Sequence, residues 1–392
     1  MPRTTSALLL LILISLQETR AQSVEQAESW LREQAHRVAA GSVLSAHDGT
    51  RLYTPDGSAH YQALWTRDFY YLLEGCPEAV PLEEAWAGFA YLLRGQRADG
   101  AMPDRVQADG LAVYLPGPVG NGIGPLPATD NPAFMVKIAS LLGRRSGDLK
   151  SLREFREALR KGLDFPLKSK RGLLWIDPEN PHSPYGFTDT IFKTGELFFS
   201  SLLQWEAYGD LAEIEQACGN PAGAADLRAK EAQIEEALQT FWNEEVGMFH
   251  AATLDCNQVD IWGSAYAVYS GLASASQAER IANYLIEHHG KLMEKGQLRH
   301  CAPGEDWQRG LTPPGRYQNG GHWATPFGWW FATVHPIDPE LATQTFLELV
   351  EDFRTRGIKE WVLGEASAVP DYVASACQPL VGLRKMGLTH DP

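Results

Sequence analysis

The chain has 392 residues, with 49 acidic against 34 basic side chains for a formal charge of −15, and 44% of it is hydrophobic. That much apolar surface, with 12 Trp, 13 Tyr and 15 Phe, suffices for a large core. An acidic surface repels phosphate backbones, which excludes a nucleic-acid partner and leaves an uncharged substrate compatible.

The N-terminus reads as a processing signal. Arg3 supplies a short positive flank, Ala7 to Leu16 is nearly unbroken apolar sequence, and Thr19-Arg20-Ala21 offers a small-x-small cleavage site. Residues 1–21 are therefore expected to be a removable secretory signal, too short for a stable span. No later segment approaches eighteen consecutive apolar residues, so no membrane contact is expected after cleavage, and the address is secreted or periplasmic. Residues 22–392 carry no linker, low-complexity tract or charge run and are expected to form one domain.

Apolar residues then recur at helical spacing in about a dozen segments. The expected helices are 24–40, 67–74, 81–95, 130–143, 148–165, 192–217, 221–243, 260–271, 276–290, 322–334, 338–356 and 371–387. In 338–356, Leu341, Phe346, Leu347, Val350 and Phe353 form one stripe behind Asp338, a natural N-cap. Convincing alternating strands are scarce. The long connections 98–129, 166–188, 244–259 and 291–321 are rich in Gly and Pro, and loops of that length usually carry function. Helix pairs alternating with long loops predict an all-α barrel whose site lies on one rim.

Trp65-Thr66-Arg67-Asp68 places a planar donor fork beside a carboxylate, a pair suited to a vicinal diol. Taken alone it is equally a charged helix start. Asp99 to Arg105 is a turn-rich acidic loop in which Asp104 can line a pocket. Asp189 lies among aromatic and hydroxyl residues just before a long helix; apolar surroundings keep a carboxyl protonated, as a general acid requires, while an N-cap explains it as well. Residues 315–331 crowd Tyr317, Trp323, Trp329, Trp330 and Phe331 around Asn319, His322 and paired glycines. Flat apolar faces beside fixed hydrogen-bonding groups suit a sugar ring. Glu360 and Glu365 follow Gly357, and either can serve as a base or be a solvated loop acid.

Metal and cofactor motifs are absent. The five cysteines are odd in number and widely spaced, with no CxxC, and His322 has no second ligand at metal spacing. Gly120 to Gly124 lacks the flanking strand and helix of a nucleotide loop.

In order and spacing the motifs resemble the six-hairpin glycosidase superfamily, the (α/α)6 toroids of trehalase, glucoamylase, processing α-glucosidase and glycogen-debranching α-1,6-glucosidase. The residues carrying the resemblance are Trp65 to Asp68, Asp99 to Pro103, Phe187 to Glu196, Tyr317 to Trp323, and Glu360-Trp361 followed by Tyr372 to Ala376. The resemblance implies an inverting hydrolase of α-linked neutral sugars, without a cofactor. It assigns Asp189 as general acid and Glu360 as base, with Glu365 the second candidate. Arg67, Asp68, Glu196 and Asn319 would hold hydroxyls, and Trp65, Tyr317 and Trp323 would provide stacking walls. Two other readings remain open: a sugar epimerase or uronate-active enzyme on the same toroid, and a non-catalytic carbohydrate-binding protein.

Overall fold

The computed structural model describes residues 23–389, so the expected signal segment lies outside the described residues. Helices come in chain order as α1 (residues 23–41), α2 (Thr66–Gly75), α3 (Leu82–Leu93), α4 (Asn131–Arg145), α5 (Arg156–Asp164), α6 (Phe198–Ala217), α7 (Pro221–Leu238), α8 (Ile261–Ser270), α9 (Ala275–Glu287), the single turn α10 (His289–Leu292), α11 (Phe327–Val334), α12 (Pro339–Arg356), α13 (Val373–Cys377) and α14 (Pro379–Lys385). Neighbours in the packing reveal a ring: α2 packs on α4, α4 on α6, α6 on α8, α8 on α11 and α11 on α14, while α13 and α14 return to α2. The intervening helices α3, α5, α7, α9 and α12 lie outside it. The architecture is the expected (α/α)6 toroid.

Burial separates the two layers. All eight residues of α11 and nine of the ten in α2 are buried, against five of eighteen in α7 and three of thirteen in α9. A helix apolar on all sides belongs in a core, and one with a narrow stripe belongs at the surface. Aromatic side chains fill the interior: Trp262, Trp323 and Trp329 are buried, with Trp262 contacting both other indoles edge-on. Truncating such a side chain to alanine costs roughly 3–5 kcal/mol.

Local signals set several boundaries. Asp338 accepts from Leu341 N at 2.9 Å, Pro339 opens α12, and Gly357 at φ 78° ends it. Ser274 and Gln277 close a reciprocal capping box on α9. Other expectations need correction. The helix expected over 322–334 starts only at Phe327, because His322–Trp323 pairs as a strand with Gln297–Arg299 and, through His322, with Val362. The helix expected from 192 begins at Phe198, because Gly195–Glu196 pairs with Trp175–Ile176 and Gly195 takes φ 80°. Residues 148–165 divide into a tight turn over Leu149–Leu152 and α5, and 371–387 into α13 and α14.

Short strands are also more numerous than expected. Five of them, from Met293 to Pro370, form one antiparallel sheet on the rim. A second sheet pairs Ala63–Trp65 with Arg105–Gln107, which brings the Trp65 and Asp99 to Arg105 motifs side by side.

Candidate active site

A narrow pocket of about 50 Å³ opens on this rim. Its lining includes Trp65, Arg67, Asp68, Asp189, Tyr317 and Glu360 from the sequence reading, together with Tyr61, Phe187 and Tyr372.

One wall is built around Arg67. The buried guanidinium donates through Nε to Asp130 Oδ2 at 3.1 Å, and through Nη2 to Asp104 Oδ1 at 2.9 Å and Asn131 Oδ1 at 3.0 Å. Asp104 has no exposed surface and its second oxygen takes Arg105 Nη1 at 2.9 Å, so it braces two arginines beneath the wall. Arg105 in turn stacks on Trp65, 4.4 Å from the ring centre. Gly186 is obligatory here: a Cβ on it would stand 1.7 Å from Arg67 Nε. Asp68, next along α2, accepts from the Tyr372 hydroxyl at 2.7 Å, and burial lifts its carboxyl to about 6 against the pull of Arg67.

The opposite wall holds Glu360 on the strand Lys359–Leu363. Its Oε1 accepts from the hydroxyls of Tyr61 at 3.0 Å and Tyr317 at 3.1 Å, and no described residue bonds its Oε2. Burial pushes this carboxyl up to about 8, although both hydroxyls favour its ionised form. Asp56 sets Tyr61 in place, because its carboxylate gathers the backbone N–H groups of Ser58, His60 and Tyr61 at 2.8–3.0 Å. Tyr317 sits at φ 41°, a costly conformation for a tyrosine, which lets it and Gln318 both reach the site.

Asp189 follows a tight turn over Gly186–Thr188. Its Oδ1 accepts from Gln318 Nε2 at 2.7 Å, and Gln318 is oriented by accepting from Thr190 N at 2.9 Å and Thr190 Oγ1 at 2.6 Å. The residue keeps some accessible surface because it faces the pocket, yet protein surrounds the carboxyl, and burial lifts it to about 6. Asp189 and Glu360 thus each have neutral donors on one oxygen and no cation in direct contact.

Other residues singled out from the sequence lie elsewhere. Glu196 pairs with Arg171, away from the pocket. Asn319 is buried in its own loop, where Oδ1 accepts from Trp307 N at 2.7 Å and Nδ2 donates to the carbonyls of Trp307 and Thr312 at 3.0 Å. Trp323 has no exposed surface and backs Tyr317 and Phe187 from behind. His322 is kept out by its strand register; burial pushes it down to about 4, so it is neutral and its 3.4 Å approach to Glu294 is not an ion pair. Glu365 is exposed at the turn between the last two strands of the rim sheet. Sequence reading missed Tyr61, Asp130 and Gln318. Gln318 stood inside the aromatic motif, and Asp56-Gly57-Ser58 is the turn signal that positions Tyr61, but nothing local marked Asp130.

A second chamber, of about 420 Å³, adjoins the first and shares Tyr61, Trp65, Asp189 and Tyr317 with it. His60, Gln62, Arg105, Gln107 and Thr190 complete much of its wall. Asp189 therefore stands at the junction of a narrow inner pocket and a wider outer one.

No family model matches the chain, and no curated protein matches it in sequence. Its fold is nonetheless shared with solved glycosidases. A GH63 mannosylglycerate hydrolase from Thermus thermophilus, solved with glucose, superposes with a TM-score of 0.65 at 17% identity, covering 90% of this chain and 99% of that one. A glycosidase variant solved with glucose gives 0.63 at 14% identity over 94% and 98%. A Klebsiella oxytoca rhamnosidase with rhamnose bound gives 0.61 at 12% identity over 86% and 60%. At these identities the likeness defines the toroid fold.

Proposed function

We propose that the protein is an inverting glycoside hydrolase acting on neutral α-linked sugars. The observation that carries this reading is one pocket faced by three carboxyls, Asp68, Asp189 and Glu360, none touched by a cation, of which Asp189 and Glu360 take the catalytic roles and Asp68 is held by Tyr372. Inversion requires one protonated carboxyl on the leaving oxygen and one ionised carboxyl on a water.

Asp189, at the mouth of the inner pocket, protonates the glycosidic oxygen as it leaves toward the outer chamber. Glu360 Oε2 takes a proton from water while Oε1 stays fixed between Tyr61 and Tyr317. The pair holds one proton between pH 6 and 8. Molecules with that proton on Asp189 react, and they carry the same total charge as those with it on Glu360, so pH does not separate the two forms. Arg67 and Asp68 grip hydroxyls at the pocket floor, and Trp65 and Tyr317 bound the ring. The small inner pocket favours removal of one terminal sugar. Arg67 is neutralised by Asp104 and Asp130, which weighs against an anionic uronate ring. The chamber fits a carbohydrate or other neutral leaving group. Residues 1–21 act as a secretory signal in this proposal, a role that N-terminal sequencing of exported protein tests.

The function is tested by a proton NMR time course with α-linked gluco-, manno- and galacto-disaccharides, run beside Asp189→Asn. Release of the β-anomer first, lost in the variant, is the expected result. Saturable binding without cleavage across the panel would instead identify a carbohydrate-binding protein.

A further inference from the structure

Two of the five buried thiols meet where the ring of helices closes. Cys76 caps the C-terminus of α2 and Cys377 ends α13, and the neighbouring Cys76 thiol together with burial pushes the Cys377 thiol up. The backbones approach closely as well: a Cβ on Gly75 would stand 2.8 Å from Cys377 Cβ and 2.6 Å from its carbonyl carbon and oxygen. Arg384 of α14 fixes this seam, donating to the carbonyls of Glu74 and Gly75 at 2.8 Å each.

Cys76 itself is fully buried, but its neighbours reach the surface. A side-chain donor atom of His36, the Cys76 thiol and a Glu78 oxygen all lie within 4.8 Å of one another. His36 is half-buried and Glu78 exposed, so Cys76 is one side chain from water. A thiol undergoes exchange more readily beside a base, and His36 stands beside Cys76.

We propose that Cys76 and Cys377 form a redox-responsive disulfide that locks the first inner helix to the last. With oxidised glutathione as the oxidant, His36 takes the Cys76 proton and the thiolate attacks the glutathione disulfide, expelling one glutathione thiolate. The expelled glutathione thiolate takes the Cys377 proton, and the Cys377 thiolate attacks the mixed disulfide at the Cys76 sulfur and expels the second glutathione thiolate, which is protonated by the imidazolium of His36. Two protein thiols are oxidised to one disulfide and one glutathione disulfide is reduced to two glutathiones. The cross-link closes a loop of about 300 residues, and the constraint on the unfolded chain grows with loop length. It also tethers the elements that carry Asp68 and Tyr372, whose hydrogen bond forms part of the pocket wall. The inference is independent of the proposed hydrolase activity.

The test uses full-length reduced protein equilibrated with oxidised glutathione, followed by non-reducing peptide mapping. The expected result is a linked Cys76–Cys377 peptide pair, three remaining thiols after denaturation, and a Tm raised by about 5 °C that dithiothreitol reverses. Cys377→Ala should remove the redox dependence of Tm. Five thiols after oxidation would overturn the proposal, as would a map showing only Cys256 linked to Cys301, which share a small cluster with Trp307. The map is read on the natural chain, so it decides the matter even if the variant folds poorly.

Discussion

The two walls of the pocket treat charge in opposite ways. Around Arg67, Asp104 and Asp130 each have a guanidinium partner and are locked in hydrogen bonds with no exposed surface. Around Glu360, the partners are hydroxyls, and around Asp189 an amide. Burying a carboxylate beside a cation fixes it as a charge; burying it beside neutral donors leaves its proton within reach of neutral pH. Asp68 marks the boundary: it sits beside Arg67 on the first wall, yet its direct partner is the Tyr372 hydroxyl and its carboxyl is lifted like those of the second. Side chains of the same chemical type acquire different roles from their partners alone.

That contrast breaks most sharply under mutation of the second wall. Asp189→Asn and Glu360→Gln should each lower kcat by about 10²–10⁴-fold, measured on whichever α-glycoside the NMR panel identifies. Neither should lower Tm at pH 8. Because both carboxyls are raised above their ordinary values, their contribution to stability is complete below about pH 4 and is lost as pH rises through 6 and 8. A plot of variant minus natural Tm should therefore climb between pH 4 and pH 8.

Arg67→Met makes the opposite trade. It leaves the buried Asp130 without a cation and Asp104 with Arg105 alone, and should cost about 3–5 kcal/mol of stability, read by thermal or urea unfolding. A stable variant would show that the first wall is not braced as described.

Tyr61→Phe sharpens the comparison within the second wall. If the proposed hydrolysis holds, the natural protein should show a bell-shaped kcat/KM profile with limbs near pH 6 and 8. Removing a donor that favours ionised Glu360 should move the upper limb to higher pH and lower kcat/KM roughly tenfold. An unmoved limb would detach Tyr61 from the titration. The smallest effects should come from Glu196→Gln and Glu365→Gln, which lie outside the pocket. Both should leave kcat unchanged, with stability within about 1 kcal/mol for the loss of the Glu196–Arg171 pair.

What the sequence disclosed follows from the range of each signal. Helix stripes such as Leu341 to Phe353 repeat over several turns, so the toroid was legible. Strands of two to five residues give alternation no room to show, so the rim sheet was missed, and with it the register that turns His322 away from the pocket. Motif membership located Arg67, Asp68, Asp189, Tyr317 and Glu360. It did not distinguish Asn319, which spends its hydrogen bonds on its own loop, from Gln318, one residue earlier, which reaches Asp189. Asp130 escaped notice because its partner Arg67 is 63 positions away, and no local pattern records such a pairing.

The wiring of the pocket also sets a clock. Tyr61 bonds Glu360 across 299 positions and Tyr372 bonds Asp68 across 304. Synthesis runs from the N-terminus, and contacts this distant in sequence cannot form until the second partner has left the ribosome. The pocket as a whole draws on residues from Pro55 to Tyr372. A nascent chain can assemble most of its helices and still hold no complete pocket, so the pocket should close only after Tyr372 has emerged.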